Sequence, residues 1–375
     1  MEFRDLKKQY QVLKAEIDRG VLDAMASGAY ILGKPVGELE EKLAAYTSRK
    51  HCVAVANGTD ALQLALMAYD VGAGDAVFTS DFTYFASAGS ASIIGATPVL
   101  VDIDLDTFNM SPEDLERRIQ AVLAEGKLRP RFIVPVDLFG LPADFTKILP
   151  IAAKYGLKIL EDGAQGFGGA INGKRACSFG DISTTSFFPA KPLGCYGDGG
   201  AIFTDDAEID ARLRSLRAQG KSPEDKYDNR EIGMNSRLDT LQAAVLLPKL
   251  KAFADYEVEA VNRVAEAYTA ALKGKVVTPA IPEGFYSSWA QYTILLDSRE
   301  QRDRVQKALQ QKGIPTMVYY PRGLHQQAAY KWMGLGDGDY PHTTRATNCV
   351  LSLPMHPYME EEEQRVIIES LLEVV

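Results

Sequence analysis

The hydrophobic positions in the first two-thirds of the chain fall into two alternating patterns. Short, nearly continuous apolar runs predict buried strands at 51–57, 75–81, 97–104, 131–140 and 157–162. Between them, apolar residues spaced three and four apart predict helices, for example over 59–70 and 145–156. Strands that are apolar on both faces and separated by helices indicate a mostly parallel sheet covered on both sides. We therefore predict an α/β fold.

The pattern changes after residue 236. A long helical stretch covers 237–272 and contains Pro248, and shorter strand and helix patterns follow it. Because proline kinks or breaks a helix, we predict an interruption at Pro248. We accordingly expect a large domain over 1–248 and a smaller α+β domain over 249–375.

The composition restricts the classes of function. The 375 residues are 46% hydrophobic and 24% charged, with a net charge of −9, which is ordinary for a globular protein and argues against a broad nucleic-acid-binding surface. The chain start lacks the apolar core of a signal peptide, and no apolar run has membrane-spanning length, so we expect a cytoplasmic protein without membrane contact. Four scattered cysteines have no histidines at ligand spacing and predict reduced packing thiols rather than a metal site: Cys52, Cys177, Cys195 and Cys349.

One predicted strand is followed by residues that suit phosphate binding. Asn57, Gly58 and Thr59 open a helix, where free backbone N–H groups and the helix dipole attract an anion. Thr59 fits the simpler role of a helix N-cap equally well. A second glycine-rich stretch, 168–175, ends in Arg175 where a nucleotide-binding loop needs serine or threonine, so we interpret its Asn-Gly pair as a hairpin turn.

A carboxylate and an amine occupy positions where burial makes a charge costly. Asp162 ends an apolar strand, either as a turn residue or as a carboxylate aimed at a cation, and Gln165 follows one turn later. Lys191 lies among apolar neighbours that include Phe187 and Phe188. A lysine alone is more often exposed on a surface loop, but a desolvated and partly neutral amine can attack a carbonyl.

These three features together match the needs of one cofactor. Pyridoxal phosphate requires a phosphate-binding helix start, a carboxylate that keeps its pyridine nitrogen protonated, and an amine that bonds to its aldehyde. The sequence offers the start at Gly58, the carboxylate of Asp162 and the amine of Lys191. We therefore predict a pyridoxal-phosphate enzyme without a metal, with Lys191 and Asp162 as catalytic residues.

The motifs around these residues resemble the DegT/DnrJ/EryC1/StrS family of nucleotide-sugar aminotransferases. The resemblance covers nearly the whole chain and is carried by NGTDALQLAL, LEDGAQGFGGAINGK, SFFPAKPLGCYGDGG and GMNSRLDTLQAA. It implies the aspartate aminotransferase fold (fold type I), with a large mostly parallel-sheet domain and a smaller C-terminal domain. It also implies pyridoxal phosphate as cofactor, a nucleotide sugar and the L-glutamate/2-oxoglutarate pair as substrates, and a homodimer with shared active sites.

The family pattern implies a role for each matching position. Lys191 would bind the cofactor covalently and shuttle the proton, and Asp162 would pair with the pyridine nitrogen. The remaining implied contacts are Gln165 with the ring 3-hydroxyl, Tyr84 and Ala164 with the two ring faces, and Gly58, Thr59, Ser186 and the neighbouring subunit's copy of Asn235 with the phosphate. The family often has alanine where this chain has Gly163, and we expect little effect from that difference.

The motifs near Lys191 look most like the branch that aminates C3 of UDP-linked 3-keto-2-acetamido sugars, including the uronic acid form, for cell-surface polysaccharides. This resemblance implies substrate contacts at Arg237, Tyr319 and Tyr320, although Arg237 also fits an ordinary helix-start position. A histidine in that branch corresponds to Tyr319, and a phenol can donate a hydrogen bond but carries no positive charge. We therefore expect relaxed selectivity for a uronic acid over a neutral 3-keto sugar.

Alternative functions remain open on the same fold. One is C3 or C4 amination of dTDP-linked keto-6-deoxy sugars, and another is a non-catalytic regulatory protein, against which an intact Lys191, Asp162 and Ser186 weigh. A related sugar dehydratase would carry histidine in place of Lys191. A cysteine desulfurase would need a reactive loop cysteine and usually a histidine in place of Tyr84.

Overall fold

The computed structural model describes residues 1–222, 224–225 and 227–375 of the chain. Its strands are β1 His51–Val55, β2 Asp75–Ser80, β3 Thr97–Val101, β4 Arg129–Val134, β5 Lys158–Asp162, β6 Ala170–Ile171, β7 Lys174–Arg175, β8 Ile182–Ser186, β9 Gly200–Thr204, β10 Phe285–Tyr286, β11 Tyr292–Leu295 and β12 Val350–Leu353. Its α-helices are α1 Leu6–Ser27, α2 Lys34–Thr47, α3 Gly58–Met67, α4 Ala86–Ile93, α5 Pro112–Glu125, α6 Phe145–Tyr155, α7 Ala207–Leu216, α8 Thr240–Ala252, α9 Val258–Leu272, α10 Arg299–Gln311, α11 Pro341–Cys349 and α12 Glu361–Leu372. The five strands predicted from apolar runs are confirmed, and each is shorter than its run.

A seven-stranded sheet forms the centre of the part of the chain that the structure describes, in the order β1-β9-β8-β5-β4-β2-β3. Strand β9 is antiparallel to both of its neighbours, β1 and β8, while the other pairings are parallel. Because β1 and β8 both oppose β9, they point the same way as β5, β4, β2 and β3. The carboxyl ends of these strands meet at one edge, where open α/β sheets bind their ligands.

Helices cover both faces of this sheet, as the apolar strands predict. All six residues of β2 are buried. Val77 packs into the cluster that holds α3, and the next residue, Phe78, packs on the other face with α5 and α6. Each such fully buried side chain contributes roughly 1.5–3 kcal/mol through loss of water contact. The sheet is therefore a rigid support for the loops at its carboxyl edge.

The hairpin prediction is confirmed. Strands β6 and β7 pair antiparallel on either side of Asn172 and Gly173, whose φ angles are 50° and 80°. Two consecutive positive φ angles define the tight turn that suits a two-residue hairpin, and an Asn-Gly pair adopts it most easily. The stretch is thus a turn and not a nucleotide-binding loop.

The predicted interruption at Pro248 is wrong in its position. Helix α8 continues through Pro248 to Ala252, and the α pattern is interrupted only at the π-helical turn Phe253–Glu257, after which α9 begins. The remaining chain builds a two-stranded antiparallel sheet, β11 with β12, packed against α9, α10 and α12. The division into 1–248 and 249–375 stays a prediction.

The short helices and the cysteines complete the description. The 3₁₀ segments are Leu138–Gly140, Leu324–Gln326, Ala328–Met333 and Asp337–Asp339. The four cysteines are buried and unpaired. Over the described ranges, no group of three or more His, Cys, Asp and Glu side chains is placed to hold a metal ion. None of the helices in the same ranges has the length and apolarity needed to cross a membrane.

Candidate active site

The candidate residues gather at the carboxyl edge of the sheet because the strands that carry them end there. Strand β5 ends at Asp162 and the neighbouring β8 ends at Ser186, with Asp162 paired to Thr184. Lys191 follows in the loop from β8 to β9, and α3 starts just after β1. The predicted phosphate-binding, carboxylate and amine features therefore share one edge.

Gly58 and Ser186 shape the start of α3. A Cβ at Gly58 would lie 2.7 Å from the Cβ of Ser186, so only glycine allows this approach. Asn57 is the N-cap, since its side chain accepts a hydrogen bond from the N–H of Asp60 at 2.8 Å. The interpretation of Thr59 as the N-cap is therefore wrong, and its position in the first helical turn suits the binding of an anion.

Asp162 is buried and oriented by two donors. Its Oδ2 accepts a hydrogen bond from the Ser87 hydroxyl at 2.8 Å, and its Oδ1 accepts one from the Ala164 N–H at 3.2 Å. Burial raises the pKa of Asp162, while Ser87, the charge of Lys191 and the Ala164 N–H lower it. Ser87 is absent from the sequence-based set because it lies in the small-residue helix α4, whose pattern marks no polar face.

Lys191 is half-buried in a tightly turned loop. Its N–H donates to the carbonyl of Phe188 at 2.8 Å, and Arg4 donates to the carbonyl of Pro192 at 3.0 Å. Burial lowers the pKa of Lys191, and the charge of Asp162 partly offsets this. The Lys191 ammonium has no hydrogen bond or ion pair among the described residues. The lowered pKa and the missing counter-charge are consistent with a desolvated amine, and the role of Lys191 stays a prediction.

Gln165 connects the sheet edge with the C-terminal part of the chain. Its Oε1 accepts a hydrogen bond from the Phe139 N–H at 2.9 Å, and its Nε2 donates to the Tyr320 hydroxyl at 3.0 Å. Burial raises the pKa of Tyr320. Tyr319 instead packs edge-on against Phe3, with ring centroids 6.2 Å apart. Phe3 is thus a further neighbour of the site that the sequence analysis missed.

The two residues expected on the ring faces differ in exposure. Tyr84 is 59% exposed on the loop between β2 and α4. Ala164 is half-buried and is fixed by its hydrogen bond to Asp162. Their stacking role stays a prediction.

Asn235 and Arg237 flank Ser236, which contacts Ala56 between β1 and α3. The hydroxyl of Ser236 accepts a hydrogen bond from the Ala56 N–H at 3.1 Å, so the segment lies beside the phosphate-binding candidates of its own chain. Asn235 is exposed. Arg237 is half-buried, and its Nε is buried without a hydrogen-bond partner among the described residues. A buried guanidinium nitrogen without a hydrogen-bond partner is unusual and calls for an explanation such as an anionic ligand.

Gly163 has a packing role that we did not expect. A Cβ there would lie 2.5 Å from the Sγ of Cys177 and 3.1 Å from the carbonyl oxygen of Thr184. The chain can therefore not accept the family's alanine at this position while Cys177 keeps its place. The expected small effect of this difference on function stays a prediction.

The residues at this edge fit pyridoxal phosphate. The glycine-lined start of α3 with Ser186 suits a phosphate, the buried Asp162 suits a protonated ring nitrogen, and the unpaired amine of Lys191 suits an aldehyde. Each of these groups would otherwise be costly to bury, which is a reason to expect a ligand with complementary charges.

Comparison with known proteins supports this interpretation. The model of the DegT/DnrJ/EryC1/StrS aminotransferase family matches residues 11–372. The chain is 44% identical to UDP-2-acetamido-2-deoxy-3-oxo-D-glucuronate aminotransferase of Pseudomonas aeruginosa, over 99% of both chains. It is 42% identical to a pleiotropic regulatory protein of Geobacillus stearothermophilus, over 98% of this chain and 97% of the other. It is 38% identical to UDP-N-acetyl-3-dehydro-alpha-D-glucosamine 3-aminotransferase of Acidithiobacillus ferrooxidans, over 96% and 94%.

Solved structures show the same fold. A DegT DnrJ EryC1 StrS aminotransferase from Brucella abortus superposes with a TM-score of 0.95 at 47% identity, covering 99% of this chain and 98% of the other. NtdA from Bacillus subtilis with bound cofactor PMP has a TM-score of 0.87 at 30% identity, covering 96% and 82%. These likenesses confirm the predicted fold type.

Proposed function

Because this chain belongs to the DegT/DnrJ/EryC1/StrS aminotransferase family, we propose that it transfers an amino group from L-glutamate to C3 of a UDP-linked 2-acetamido-3-keto sugar. The buried Asp162 and the desolvated Lys191 at one sheet edge carry this proposal. The choice of sugar is supported by two relatives that are named as aminotransferases of 3-oxo UDP-sugars. The product would serve cell-surface polysaccharide biosynthesis.

The cofactor of this reaction is pyridoxal phosphate. When bound, it supplies an electron-accepting ring that carries the amino group from donor to acceptor. Asp162 would hold the ring nitrogen and Gln165 the ring hydroxyl. The remaining contacts that we propose are Gly58, Thr59 and Ser186 at the phosphate and Tyr84 and Ala164 at the ring faces.

Lys191 supplies the amine and the base. Burial lowers the pKa of Lys191, which increases the fraction of neutral amine near neutral pH. A neutral amine at this position could move a proton between the two carbon atoms that flank the transferred nitrogen. Phe187 in the same loop is fully buried, and we propose that these apolar surroundings limit the access of water to that transfer.

We propose Arg237, Tyr319 and Tyr320 as substrate contacts. The unpaired Nε of Arg237 suits a diphosphate oxygen or a sugar carboxylate, since a guanidinium binds such anions with two donors. Tyr320 is oriented for the substrate by its hydrogen bond with Gln165. Because Tyr319 carries no positive charge, we expect acceptance of neutral 3-keto sugars as well as the uronic acid.

We also propose a cytoplasmic homodimer with shared active sites. An apolar surface next to the Asn235 segment supports this: Tyr30, Ile31 and Leu32 are 50%, 47% and 43% exposed, and Ile31 bridges to Asp239. A two-fold related copy would cover this surface. In that dimer the exposed Asn235 would reach the phosphate site of the partner.

A second candidate function is regulation without catalysis. It is favoured by the 42% identity with a protein named as a pleiotropic regulator. A purely regulatory protein would have no need of a desolvated amine opposite a buried carboxylate, so we rank it below the aminotransferase.

The proposed function is tested by running the reaction backwards. UDP- and dTDP-linked amino sugars, aminated at C3 or at C4, are each incubated with the enzyme and 2-oxoglutarate, and glutamate is measured. We expect glutamate from the UDP-linked 3-amino-2-acetamido sugars. Glutamate formed only from 4-amino sugars or only from dTDP-linked 6-deoxy sugars would contradict the proposed substrate, and none from any sugar would favour the regulatory role.

A further inference from the structure

Two fully buried acidic side chains lie behind Asp162. Glu161 precedes it in β5, and Asp137 lies in the segment that follows β4. Because side chains alternate along a strand, Glu161 points to the opposite face from Asp162. The proposed reaction uses neither of them, yet both occupy positions where an unpaired charge is very costly.

The hydrogen bonds of the two carboxyl groups are unequal. Glu161 accepts three hydrogen bonds, from the Cys177 N–H at 2.5 Å, the Phe179 N–H at 2.8 Å and the Ser183 hydroxyl at 2.8 Å. Asp137 accepts one, from the Ala143 N–H to Oδ1 at 3.0 Å. Its Oδ2 is buried without a donor among the described residues. Three donors stabilise a carboxylate at Glu161, whereas the open Oδ2 is where a proton would sit on Asp137.

The charged and titratable groups around the pair cannot neutralise a second carboxylate. Asp162 adds a third acidic group, and its cationic neighbour is Lys191. Burial raises the pKa of the Cys177 thiol, which therefore stays neutral.

Arg49 is the cation packed on this face. Its guanidinium donates to the Ser183 hydroxyl at 3.1 Å and to the carbonyls of Cys177 and Gly180, and it pairs with Asp205 at 2.8 Å. It therefore supports Glu161 only through Ser183 and leaves Asp137 without a counter-charge. Val136 bridges in parallel to Asp162, and side chains alternate along both strands, so Asp137 and Glu161 face the same side of the sheet. Burial raises the pKa of Asp137 well above its ordinary value, and the charge of Glu161 raises it further.

We propose that Asp137 is held as a neutral carboxylic acid that donates its proton from Oδ2 to Glu161, and that this acid pair positions Asp162 and Gln165. The backbone N–H of Asp137 donates to the Asp162 carbonyl at 3.1 Å. A Cβ at Gly166 would lie 2.2 Å from the Cβ of Asp137, so Asp137 packs directly beneath the turn that carries Gln165. The positioning role rests on the proposed function, and the protonation does not.

The shared proton limits the negative charge behind the site. If Asp137 and Glu161 were both ionised, two like charges would face the back of β5 and would hinder ionisation of Asp162. With one proton between them, Asp162 can carry the charge that a protonated ring nitrogen requires. Asp137 is thus a positioning residue that acts through Asp162 and Gln165.

Infrared spectroscopy of the holoenzyme at neutral pH tests the protonation directly. The native protein should show the carbonyl stretch of a protonated carboxyl group, and the difference from Asp137→Asn should contain the loss of that band. If the asparagine variant does not fold, Asp137→Ser replaces it in the test. Serine also lacks the carboxyl group but keeps a hydroxyl donor, and this variant should lose the same band. The control is Asp23→Asn, an exposed aspartate of α1, which should keep the band. An unchanged band in both Asp137 variants would overturn the proposal.

The pH dependence of unfolding gives a second readout that needs no substrate. Asp137 has an ordinary pKa in the unfolded state and a raised pKa in the folded state. Between these two pH values the folded state binds one proton more than the unfolded state, so the native protein loses stability as pH rises there. Its unfolding constant should rise by up to about tenfold per pH unit relative to Asp137→Asn, measured in urea at pH 5, 6 and 7. Asp23→Asn should follow the native protein. If the unfolding constants of the native protein and of Asp137→Asn changed in parallel with pH, the proposal would be overturned.

A spectroscopic titration tests the positioning role separately. In Asp137→Ala, Glu161 loses its proton donor and the turn loses its support, so the pH at which the visible spectrum of the bound cofactor changes should shift. In Asp137→Asn, the amide can still donate to Glu161 and should largely restore the native value. An alanine variant with the native titration would contradict the positioning role even if the infrared band is lost.

Discussion

The hydroxyl of Ser87, in helix α4, donates a hydrogen bond of 2.8 Å to Oδ2 of Asp162, at the end of β5. It lowers the pKa of a carboxyl group that burial raises. The bond therefore helps to keep Asp162 ionised inside the protein, where its charge is needed to hold a protonated ring nitrogen.

Replacing Ser87 by alanine should weaken catalysis by roughly 10- to 100-fold, because a hydrogen bond to a charged group contributes roughly 1.5–3 kcal/mol. The pKa of Asp162 should rise, so the acidic limb of the pH profile of kcat/KM should move to higher pH. Ser92→Ala, an exposed serine on the same helix, is the matched control. A lower rate with an unmoved acidic limb would mean that Ser87 acts only through packing.

Lys191→Ala should lower turnover more than about 100-fold while the fold is retained, since the neutral amine is the proposed base. The violet absorbance of the lysine-bound cofactor should disappear in the same variant. Lys191→Arg should be nearly as inactive, because a guanidinium stays charged at all accessible pH values. Steady-state kinetics, visible spectra and far-UV circular dichroism check these outcomes, and native turnover by Lys191→Ala would remove the assignment.

Gly163→Ala should destabilise the protein by about 1–3 kcal/mol, because the added methyl group overlaps the Sγ of Cys177. Cys177→Ala opens space at the same place, so the double variant should recover part of the loss. Urea unfolding of the two single variants and the double variant measures this coupling. Additive effects would show that the two positions do not compete for space.

Mixed dimers test the proposed sharing of the active site. Lys191→Ala and Asn235→Ala homodimers are combined under conditions in which subunits exchange, and the glutamate-forming rate is measured. If Asn235 completes the site of the partner, one site of each mixed dimer carries both native residues and activity should exceed that of either parent. No gain after demonstrated exchange would place Asn235 in its own chain's site or outside the reaction.

His325 should make stability depend on pH. Its Nδ1 lies 2.6 Å from Asp81 and its Nε2 lies 3.0 Å from Asp337, so both ring nitrogens face carboxylates. Burial lowers the pKa of His325, but the hydrogen bonds and charges of Asp81 and Asp337 outweigh it, and the net pKa is raised.

Because the pKa of His325 is raised in the folded state, the stabilisation that protonated His325 contributes is complete below about pH 6.5. It is lost as pH rises through the folded-state pKa. The free energy of unfolding, measured in urea between pH 6 and pH 9, should therefore decline in the native protein and not in His325→Gln. His51→Gln, on strand β1, should keep the native decline. An equal decline in His325→Gln would assign it to other groups.

Local patterns predict much of this fold and part of the site. Apolar runs of six to ten residues mark β1 to β5, and Asp162 and Lys191 stand out because a charge in apolar surroundings is costly. Pro248 shows the limit of a local rule, because the tertiary packing of α8 against α1 and α2 accommodates the proline and the interruption falls at Phe253–Glu257.

The contacts that orient the site could not be predicted because they join distant parts of the chain. Ser87 and Asp162 are 75 residues apart, and Arg4 and Pro192 are 188 residues apart. Ser87 has no distinctive neighbours in the sequence. That Oδ2 of Asp137 lacks a hydrogen-bond donor, whereas Glu161 accepts three hydrogen bonds, can be seen only in the structure. Such residues become identifiable only when strand order and register are known.

The pairing of β1 with β9 has a consequence for how the protein is made. The residues from His51 to Val55 find their partner only when Gly200–Thr204 has left the ribosome, which at about 5–20 residues per second takes roughly 7–30 seconds longer. A Cβ at Gly200 would lie 2.6 Å from the backbone of Asn57, so the same late strand closes against the start of α3. The proposed phosphate site at the start of α3 is therefore completed only when this distant strand has paired. A chain still in translation should bind no cofactor before β9 is in place.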